Sequence, residues 1–144
     1  MTEKSSFSVR RADWSRDREA LRAIRERVFV AEQSVPAELE WDGEDECAIH
    51  LIAVDEAGRA IGTARLLPTG QIGRMAVLPA WRRRGVGSAL LQGALVIARE
   101  PGRPAPFLNA QSAVLDFYQR HGFLPEGGEF MEAGIPHCRM VLAR

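Results

Sequence analysis

The sequence predicts a single α/β (α+β) domain over residues 1–144, and three observations lead to this fold class. A chain of this length has the size of one ordinary domain. Hydrophobic residues make up 46% of the chain and charged residues 26%, which is typical of a protein with a buried core. Strand and helix patterns alternate along the chain. We therefore expect a central mixed, mostly antiparallel sheet of about six or seven strands, flanked by about four helices.

The first strand and the first helix are predicted near the N-terminus. Residues 7–11 alternate between apolar and polar side chains, which indicates a strand. Asp13 or Ser15 can cap a helix that runs to about Val30, with apolar residues on one face. Residues 31–46 have no sustained period, so we expect a loop that can include a short turn of helix.

The middle of the chain is predicted to form three antiparallel strands. Residues 48–54 and 60–67 are apolar runs with β-branched members, and residues 55–59 connect them as a hairpin. A turn at residues 68–70 leads to the third strand, at residues 71–78.

The C-terminal part is predicted to add two helices and three strands. Apolar residues at helical spacing indicate a helix between residues 88 and 98. Residues 105–110 form a short strand, and Ser112 is expected to cap the next helix. Gly122 stands where a left-handed residue ends that helix, and residues 123–142 hold two further strands.

Several classes of protein are excluded by what the sequence lacks. Residues 1–14 contain no apolar secretory segment, and no apolar run is long enough to span a bilayer. We therefore expect a cytoplasmic protein without membrane contact. Cys47 and Cys138 stand far apart, with no second cysteine near either, which predicts two reduced structural cysteines. No spacing typical of metal ligands is present, so we predict no metal site.

Acidic and basic residues are separated along the chain although their totals are equal, at 19 each. No Lys or Arg lies between Val28 and Gly58, where acidic residues are frequent, and arginine dominates from Arg59 to Pro106. This order fits solvated loops and faces. It also fits a cleft with a cationic wall for a phosphorylated ligand and an anionic wall for an amine. The net charge of zero and the lack of a strip of aromatic residues interleaved with the arginines argue against nucleic acid as a partner.

A basic glycine turn, Arg82–Ser88 (RRRGVGS), precedes the helix in the C-terminal part. The free N–H groups and the positive dipole end of a helix start bind anions. Gly85 and Gly87 have no Cβ that would keep a phosphate away, and the arginines add counter-charge. The turn therefore indicates a pyrophosphate ligand, or it merely shapes a strand-to-helix connection. It lacks the first glycine of a dinucleotide fingerprint and the Gly-Lys-Ser/Thr end of a P-loop.

Two motifs around this turn resemble signatures of the GCN5-related N-acetyltransferase (GNAT) family. Residues 72–91, with Arg82–Gly87 at their core, resemble the acetyl-CoA-binding signature R/Q-x-x-G-x-G/A. Residues 117–123 (FYQRHGF) resemble the second signature of the family. Residues 29–33 (FVAEQ) and 134–137 (GIPH) are similar to the ElaA-like branch. The resemblance covers most of the chain and implies the GNAT fold.

The resemblance also implies a set of residues that hold acetyl-CoA. The third middle strand matches the strand whose backbone pairs with pantetheine, and the glycine turn matches the pyrophosphate loop. Gln111 stands where many relatives have an Asn that contacts the cofactor. The candidate cofactor-binding residues are Met75, Ala76, Val77, Arg82, Arg83, Arg84, Gly85, Val86, Gly87, Ser88, Gln111 and Tyr118.

The implied reaction is direct transfer of an acetyl group to a primary amine of a small molecule or peptide, without an acyl-enzyme. Tyr118 matches the usual proton donor to the departing thiolate, and a phenol is protonated at neutral pH. A packed aromatic role is the alternative. Glu32 is the first candidate for the base that takes the amine proton, and a solvated surface role is its alternative. His137 is the second candidate, with a structural hydrogen bond as its alternative.

Glu40 and Asp42 are candidates for recognising a cationic acceptor, and Arg74 is a further candidate acceptor contact; ordinary loop charge is the alternative. A homodimer is left open. A different class of function is a non-catalytic acyl-CoA-binding sensor or interaction domain that keeps the cofactor loop without turnover. A small nucleic-acid-binding domain is the third class of function considered. The presence of Tyr118 favours the enzyme.

Overall fold

The computed structural model describes residues 6–142, so residues 1–5 and 143–144 of the predicted domain lie outside the described residues. The strands are β1 (Phe7–Arg11), β2 (Ile49–Asp55), β3 (Ala60–Leu66), β4 (Gln71–Val77), β5 (Phe107–Gln111), β6 (Phe123–Glu132) and β7 (Ile135–Leu142). The α-helices are α1 (Trp14–Arg25), α2 (Ala37–Glu40), α3 (Val86–Ala98) and α4 (Leu115–Gln119). The strands form one sheet in the order β1-β2-β3-β4-β5-β7-β6. The predicted mixed, mostly antiparallel sheet with four flanking helices is confirmed.

The first helix begins where the sequence predicts and ends slightly later. Asp13 is its N-cap and accepts a hydrogen bond from the backbone N–H of Ser15 at 3.0 Å. Past α1 the chain continues as a π-helical segment, Glu26–Glu32, so helical structure extends two residues beyond the predicted end at Val30. The predicted loop that follows contains only short helical turns, including α2.

Around α4 one prediction is wrong and another is confirmed. Ser112 does not cap the helix, because its hydroxyl donates to Glu129 at 2.8 Å and a short 3-10 turn, Ser112–Val114, separates it from α4. Gly122 has φ of +93°, the left-handed conformation expected at this position.

Helices α1 and α3 pack on opposite faces of the sheet. A Cβ at Gly62 of β3 would lie 3.0 Å from Leu90 of α3, so the absence of a side chain allows this close approach. On the other face, Ile24 and Val28 pack against Ala76 of β4. Most buried apolar residues lie between α3 and the sheet, which makes this the main core.

Strand β4 contains a β-bulge where it pairs with β3. Thr63 pairs with Ala76 and Arg65 pairs with Gly73, so β4 has one residue more than β3 over this interval. Arg74 lies inside the bulge with φ of +48°, a left-handed conformation that is uncommon for a residue with a side chain.

A gap opens between β4 and β5 immediately before this bulge. The two strands run parallel and pair only at two positions, Gln71 with Phe107 and Ile72 with Leu108. Beyond Ile72, β4 therefore diverges from its neighbour and leaves room between two adjacent strands of the sheet. The basic glycine turn follows at the far end of β4.

Candidate active site

The basic glycine turn forms the start of α3 and is suited to bind an anion. Gly85 is the N-cap residue with φ of +86°, and no side chain caps the helix. A Cβ at Gly85 would meet no described atom within 4 Å, so the turn faces open space. The first N–H groups of a helix with no side-chain cap can donate to a diphosphate. The residues present therefore fit the pyrophosphate of coenzyme A.

Arg82 ties this turn to the π-helical segment. Its two Nη atoms each donate to a carboxylate oxygen of Glu32 at 2.8 Å, and its Nε donates to the Val77 carbonyl at 2.9 Å. These hydrogen bonds from Arg82 lower the pKa of Glu32. Glu32 is therefore ionised at neutral pH, but both of its oxygens are already bonded.

The other two arginines of the turn remain at its surface. Arg83 is exposed and has a left-handed φ of +63°. The guanidinium of Arg84 lies 5.2 Å from the centre of the Trp81 ring, in a cation–π contact. Both side chains are thus placed to add positive charge beside the α3 start, which Arg82 does not do while it binds Glu32.

Ser88 and His121 connect the turn to α4. The Ser88 hydroxyl lies 3.0 Å from His121 Nε2, and Gln92 Nε2 lies 3.0 Å from His121 Nδ1. Because an amide nitrogen donates, Nδ1 accepts, and this assigns the ring hydrogen to Nε2, which donates to Ser88. The Ser88 hydroxyl hydrogen is then available for an anion at the turn.

Tyr118 reaches from α4 to β4. Its hydroxyl donates to the sulfur of Met75 at 3.7 Å, and its ring packs edge-on against Phe117 and Phe123. Burial raises the pKa of Tyr118 to about 12, because a phenolate is poorly solvated inside the protein. The phenol therefore keeps its hydrogen at neutral pH and directs it toward β4, close to the gap.

Gln111 and His137 lie side by side on the sheet face that carries α1. Gln111 of β5 pairs with His137 of β7, and its Nε2 donates to Gln33 at 2.9 Å. His137 is 7% exposed, and its Nδ1 lies 2.7 Å from the Ile135 carbonyl. A carbonyl only accepts, so Nδ1 carries a hydrogen, and in the neutral ring the lone pair is then at Nε2, which lies 3.8 Å from Glu132.

The three predicted acceptor contacts lie together in one ion-pair network, in which the Asp42 side chain stays 30% exposed. Arg74 Nε is 3.0 Å from Glu40, and Arg74 Nη2 is 3.0 Å from Asp42. Glu40 is 3% exposed, so it has almost no surface with which to contact a soluble amine. Arg74 is therefore the partner of both carboxylates.

Three residues that sequence reasoning missed complete the network. Arg25 binds Glu40 at 2.7 Å and Asp45 at 2.8 Å, and Arg65 binds Asp45 at 3.0 Å and Asp42 at 2.9 Å. A signal for both arginines was present in the sequence. Arg25 falls on the apolar face of the first helix, and Arg65 interrupts an apolar strand, so each is a charge at a position predicted to be buried.

The described residues also bear on metals, cysteines and membranes. Between residues 6 and 142, no three His, Cys, Asp or Glu side chains are grouped as metal ligands would be. Cys47 is exposed and Cys138 is buried, and neither forms a disulfide. Over the same part of the chain, no helix has both the length and the hydropathy needed to cross a bilayer.

Comparison with known proteins identifies the family. The model of the acetyltransferase (GNAT) domain matches residues 13–144. An uncharacterized N-acetyltransferase of Bacillus subtilis, YjcF, is 35% identical over 122 residues, which cover 82% of this chain and 86% of YjcF. This chain is therefore an acyltransferase. It belongs to the GNAT family, as its motifs predict.

Solved structures agree with this assignment. An acyl-CoA N-acyltransferase from Pseudomonas aeruginosa superimposes with a TM-score of 0.80 at 30% identity, over 97% of this chain and all (100%) of that one. Escherichia coli ElaA superimposes with a TM-score of 0.81 at 28% identity, over 94% of this chain and 98% of ElaA. The predicted similarity to ElaA is confirmed, and the family fold implies use of an acyl-CoA.

The ion pairs of Asp42 predict a pH dependence of stability. Burial alone would raise the pKa of Asp42, but hydrogen bonds from Arg65 and the Glu44 backbone, with the charges of Arg65 and Arg74, lower it to about 2. A carboxyl whose pKa is lower in the folded state stabilises the fold above its unfolded pKa of about 3.8. We expect this contribution to be lost as the pH falls from about 4 to about 2.

Urea unfolding at several pH values measures this contribution. Between about pH 4 and about pH 2, the slope of the free energy of unfolding against pH should be smaller for Asp42→Asn than for the wild type. The difference in slope should correspond to about one proton taken up on unfolding. Asp116→Asn, on the exposed surface of α4, should keep the wild-type slope. Equal slopes for the wild type and Asp42→Asn would contradict the prediction.

Proposed function

We propose that this enzyme transfers the acetyl group of acetyl-CoA directly to a primary amine of a small molecule or peptide. The observation that carries the proposal is the contact between Tyr118 and Met75, which holds a phenolic hydrogen near the gap between β4 and β5. Acetyl-CoA supplies the thioester that the amine attacks. The start of α3, with Arg83 and Arg84 beside it, is proposed to hold the diphosphate.

The backbone of β4 is proposed to hold and polarise the thioester. Past Ile72, the edge of β4 that faces the gap is released from pairing with β5, so its N–H and C=O groups are available to a ligand. A backbone N–H of Met75 or Val77 can donate to the thioester carbonyl as negative charge develops on its oxygen, whereas Ala76 pairs with Thr63 of β3. This role requires no particular side chain, which agrees with the apolar residues found here.

Tyr118 is proposed as the acid that protonates the departing thiolate. Its pKa of about 12 keeps it protonated at neutral pH. Its hydrogen is directed at a thioether sulfur, which is a weak acceptor, so a thiolate would compete favourably for it.

His137 replaces Glu32 as the proposed base. Both Glu32 oxygens bind Arg82, and the lowered pKa of Glu32 makes its carboxylate a poorer proton acceptor. The hydrogen bond from His137 to the Ile135 carbonyl places the lone pair of the neutral ring at Nε2, which can take the proton of an acceptor ammonium directly or through one water.

The anion role of the α3 start predicts opposite behaviour for two variants of Gly85. Asn and Asp have the same size and tolerate the left-handed conformation, so both variants should fold. We expect Gly85→Asp to bind coenzyme A about tenfold or more weakly than Gly85→Asn, because its charge repels the diphosphate. Isothermal titration calorimetry measures both affinities. Equal affinities of the two folded variants would exclude the α3 start as the diphosphate site.

The acid role of Tyr118 predicts a loss of turnover without loss of binding. We expect Tyr118→Phe to lower kcat about 100-fold while the affinity for coenzyme A changes little. The assay is thiol release from acetyl-CoA in the presence of a panel of primary amines. Thermal unfolding of the variant checks that the packing is retained. Wild-type kcat in Tyr118→Phe would show that another group protonates the thiolate.

The same assay separates the enzyme from a sensor. Turnover by the wild type with at least one amine, together with mass spectrometry of an acetylated product, supports the proposed function. Binding of coenzyme A without thiol release across the whole panel would favour the non-catalytic acyl-CoA-binding domain instead.

The base role of His137 predicts chemical rescue. We expect His137→Ala to lower kcat about 100-fold and added imidazole to restore part of the lost rate, because the small base can occupy the vacated site. Tyr118→Phe is the control, since imidazole should not restore its rate. A His137→Ala variant with wild-type kcat, or one that stays folded but is not rescued, would argue against the base role.

A further inference from the structure

We infer that the ion pairs of Arg74 with Glu40 and Asp42 fix the β-bulge of β4 and thereby direct the backbone N–H groups of Met75 and Val77. The inference rests on the proposed function, because these groups are the ones proposed to meet the thioester. It makes Arg74, Glu40 and Asp42 positioning residues rather than contacts of the acceptor.

The bulge determines which face of the sheet each residue of β4 occupies. Side chains alternate along a regular strand, so Met75 and Val77 would lie on the face opposite Ile72. In the structure Ile72, Met75 and Val77 all pack on the core that contains α3, and Ala76 packs against α1. The extra residue has therefore reversed the alternation. Without it, Met75 would point away from Tyr118.

The conformation inside the bulge needs support from its surroundings. Arg74 has φ of +48°, and a left-handed residue with a side chain persists where its contacts hold it. The Thr63 hydroxyl donates to the Arg74 carbonyl at 2.8 Å. The guanidinium of Arg74 reaches the carboxylates of Glu40 and Asp42 at 3.0 Å each, and donates to the carbonyls of Leu39 and Glu40 at 3.3 and 3.2 Å.

The partners of Arg74 are themselves held from two other elements. Arg25 of α1 donates to the Glu40 carboxylate at 2.7 Å, and Arg65 of β3 donates to both Asp42 oxygens at 3.0 and 2.9 Å. Arg25 is 1% exposed and Arg65 is 3% exposed. Removing one charge from such a buried set leaves another charge unpaired, and this disturbs the remaining ion pairs of the set. The bulge is thus anchored to α1 and β3 through the segment that follows α2.

Substitution of Asp45 is the control that distinguishes positioning of the bulge from general stabilisation of the fold. It binds Arg25 and Arg65 but is not a partner of Arg74. Asp45→Asn therefore disturbs the same buried network as Glu40→Gln and Asp42→Asn without removing a contact of Arg74. Comparison at equal temperature, below the unfolding midpoint of every variant, makes the three substitutions a matched set.

Amide hydrogen exchange of the ligand-free protein tests the bulge directly. We expect exchange at Ala76, which pairs with Thr63 of β3 next to the bulge, to accelerate relative to amides of β2 by about tenfold or more in Glu40→Gln and Asp42→Asn but not in Asp45→Asn. Wild-type exchange in both Glu40→Gln and Asp42→Asn, or equal acceleration in Asp45→Asn, would overturn the inference. This comparison involves neither acetyl-CoA nor an acceptor, so it decides the matter even if the proposed function fails.

The carbonyl frequency of bound acetyl-CoA tests the link to catalysis. With acetyl-CoA labelled by ¹³C at the thioester carbonyl, we expect the infrared shift seen on binding to the wild type to shrink in Asp42→Asn and to persist in Asp45→Asn. We also expect kcat of Asp42→Asn to fall about tenfold with KM for acetyl-CoA changed less than threefold. A full shift in Asp42→Asn would show that the network does not direct the N–H groups. No shift in the wild type would refute the proposed polarisation instead.

Discussion

One extra residue in β4 determines which side chains of this strand face α3 and α4. The strand leaves β5 just before the bulge, and the bulge then turns Met75 toward Tyr118 and Val77 toward Gly87. Both contacts connect β4 to the helices that carry the proposed acid and the proposed diphosphate-binding turn. A regular strand with the same composition would fill the same place in the sheet but would present the opposite side chains to α3 and α4.

The paired charges behind β4 are balanced, with three arginines facing three carboxylates, and four of the six are buried: Arg25, Glu40, Asp45 and Arg65. Pairing of this kind rarely adds much stability over a well-packed apolar cluster, because each charge loses its hydration. A geometric role explains its presence here better than a stabilising one. The planar guanidinium of Arg74 can contact several acceptors at once, and those acceptors belong to a segment that has little regular structure of its own.

The sequence predicts those parts of the molecule whose causes are local. The cap at Asp13, the left-handed Gly122 and the turn at Gly85 each depend on residues within a few positions, and a short pattern reveals them. The ion pairs could not be predicted in this way. Arg82 and Glu32 are 50 positions apart, so only the folded chain selects that partner from many carboxylates.

The acidic stretch shows how an unknown pairing changes a functional interpretation. The sequence gives charges but not their partners, so Glu40 and Asp42 fit an anionic wall for an amine as well as they fit an internal network. Burial decides between these uses at Glu40, because an acceptor cannot reach a carboxylate that is enclosed with an arginine, whereas Asp42 keeps 30% of its side chain exposed and is engaged by Arg65 and Arg74. A charge inside an apolar pattern, as at Arg65, is the sequence signal that a nearby carboxylate has an internal partner.

The positions of Tyr118 and His137 support direct transfer over a covalent intermediate. Tyr118 approaches β4 from the side of α3 and α4, whereas His137 lies on the face that carries α1. A thioester in the gap would therefore have a proton donor on one side and a proton acceptor on the other. The proton lost by the amine and the proton gained by the thiolate can then be handled by separate groups, and neither step requires a nucleophilic side chain.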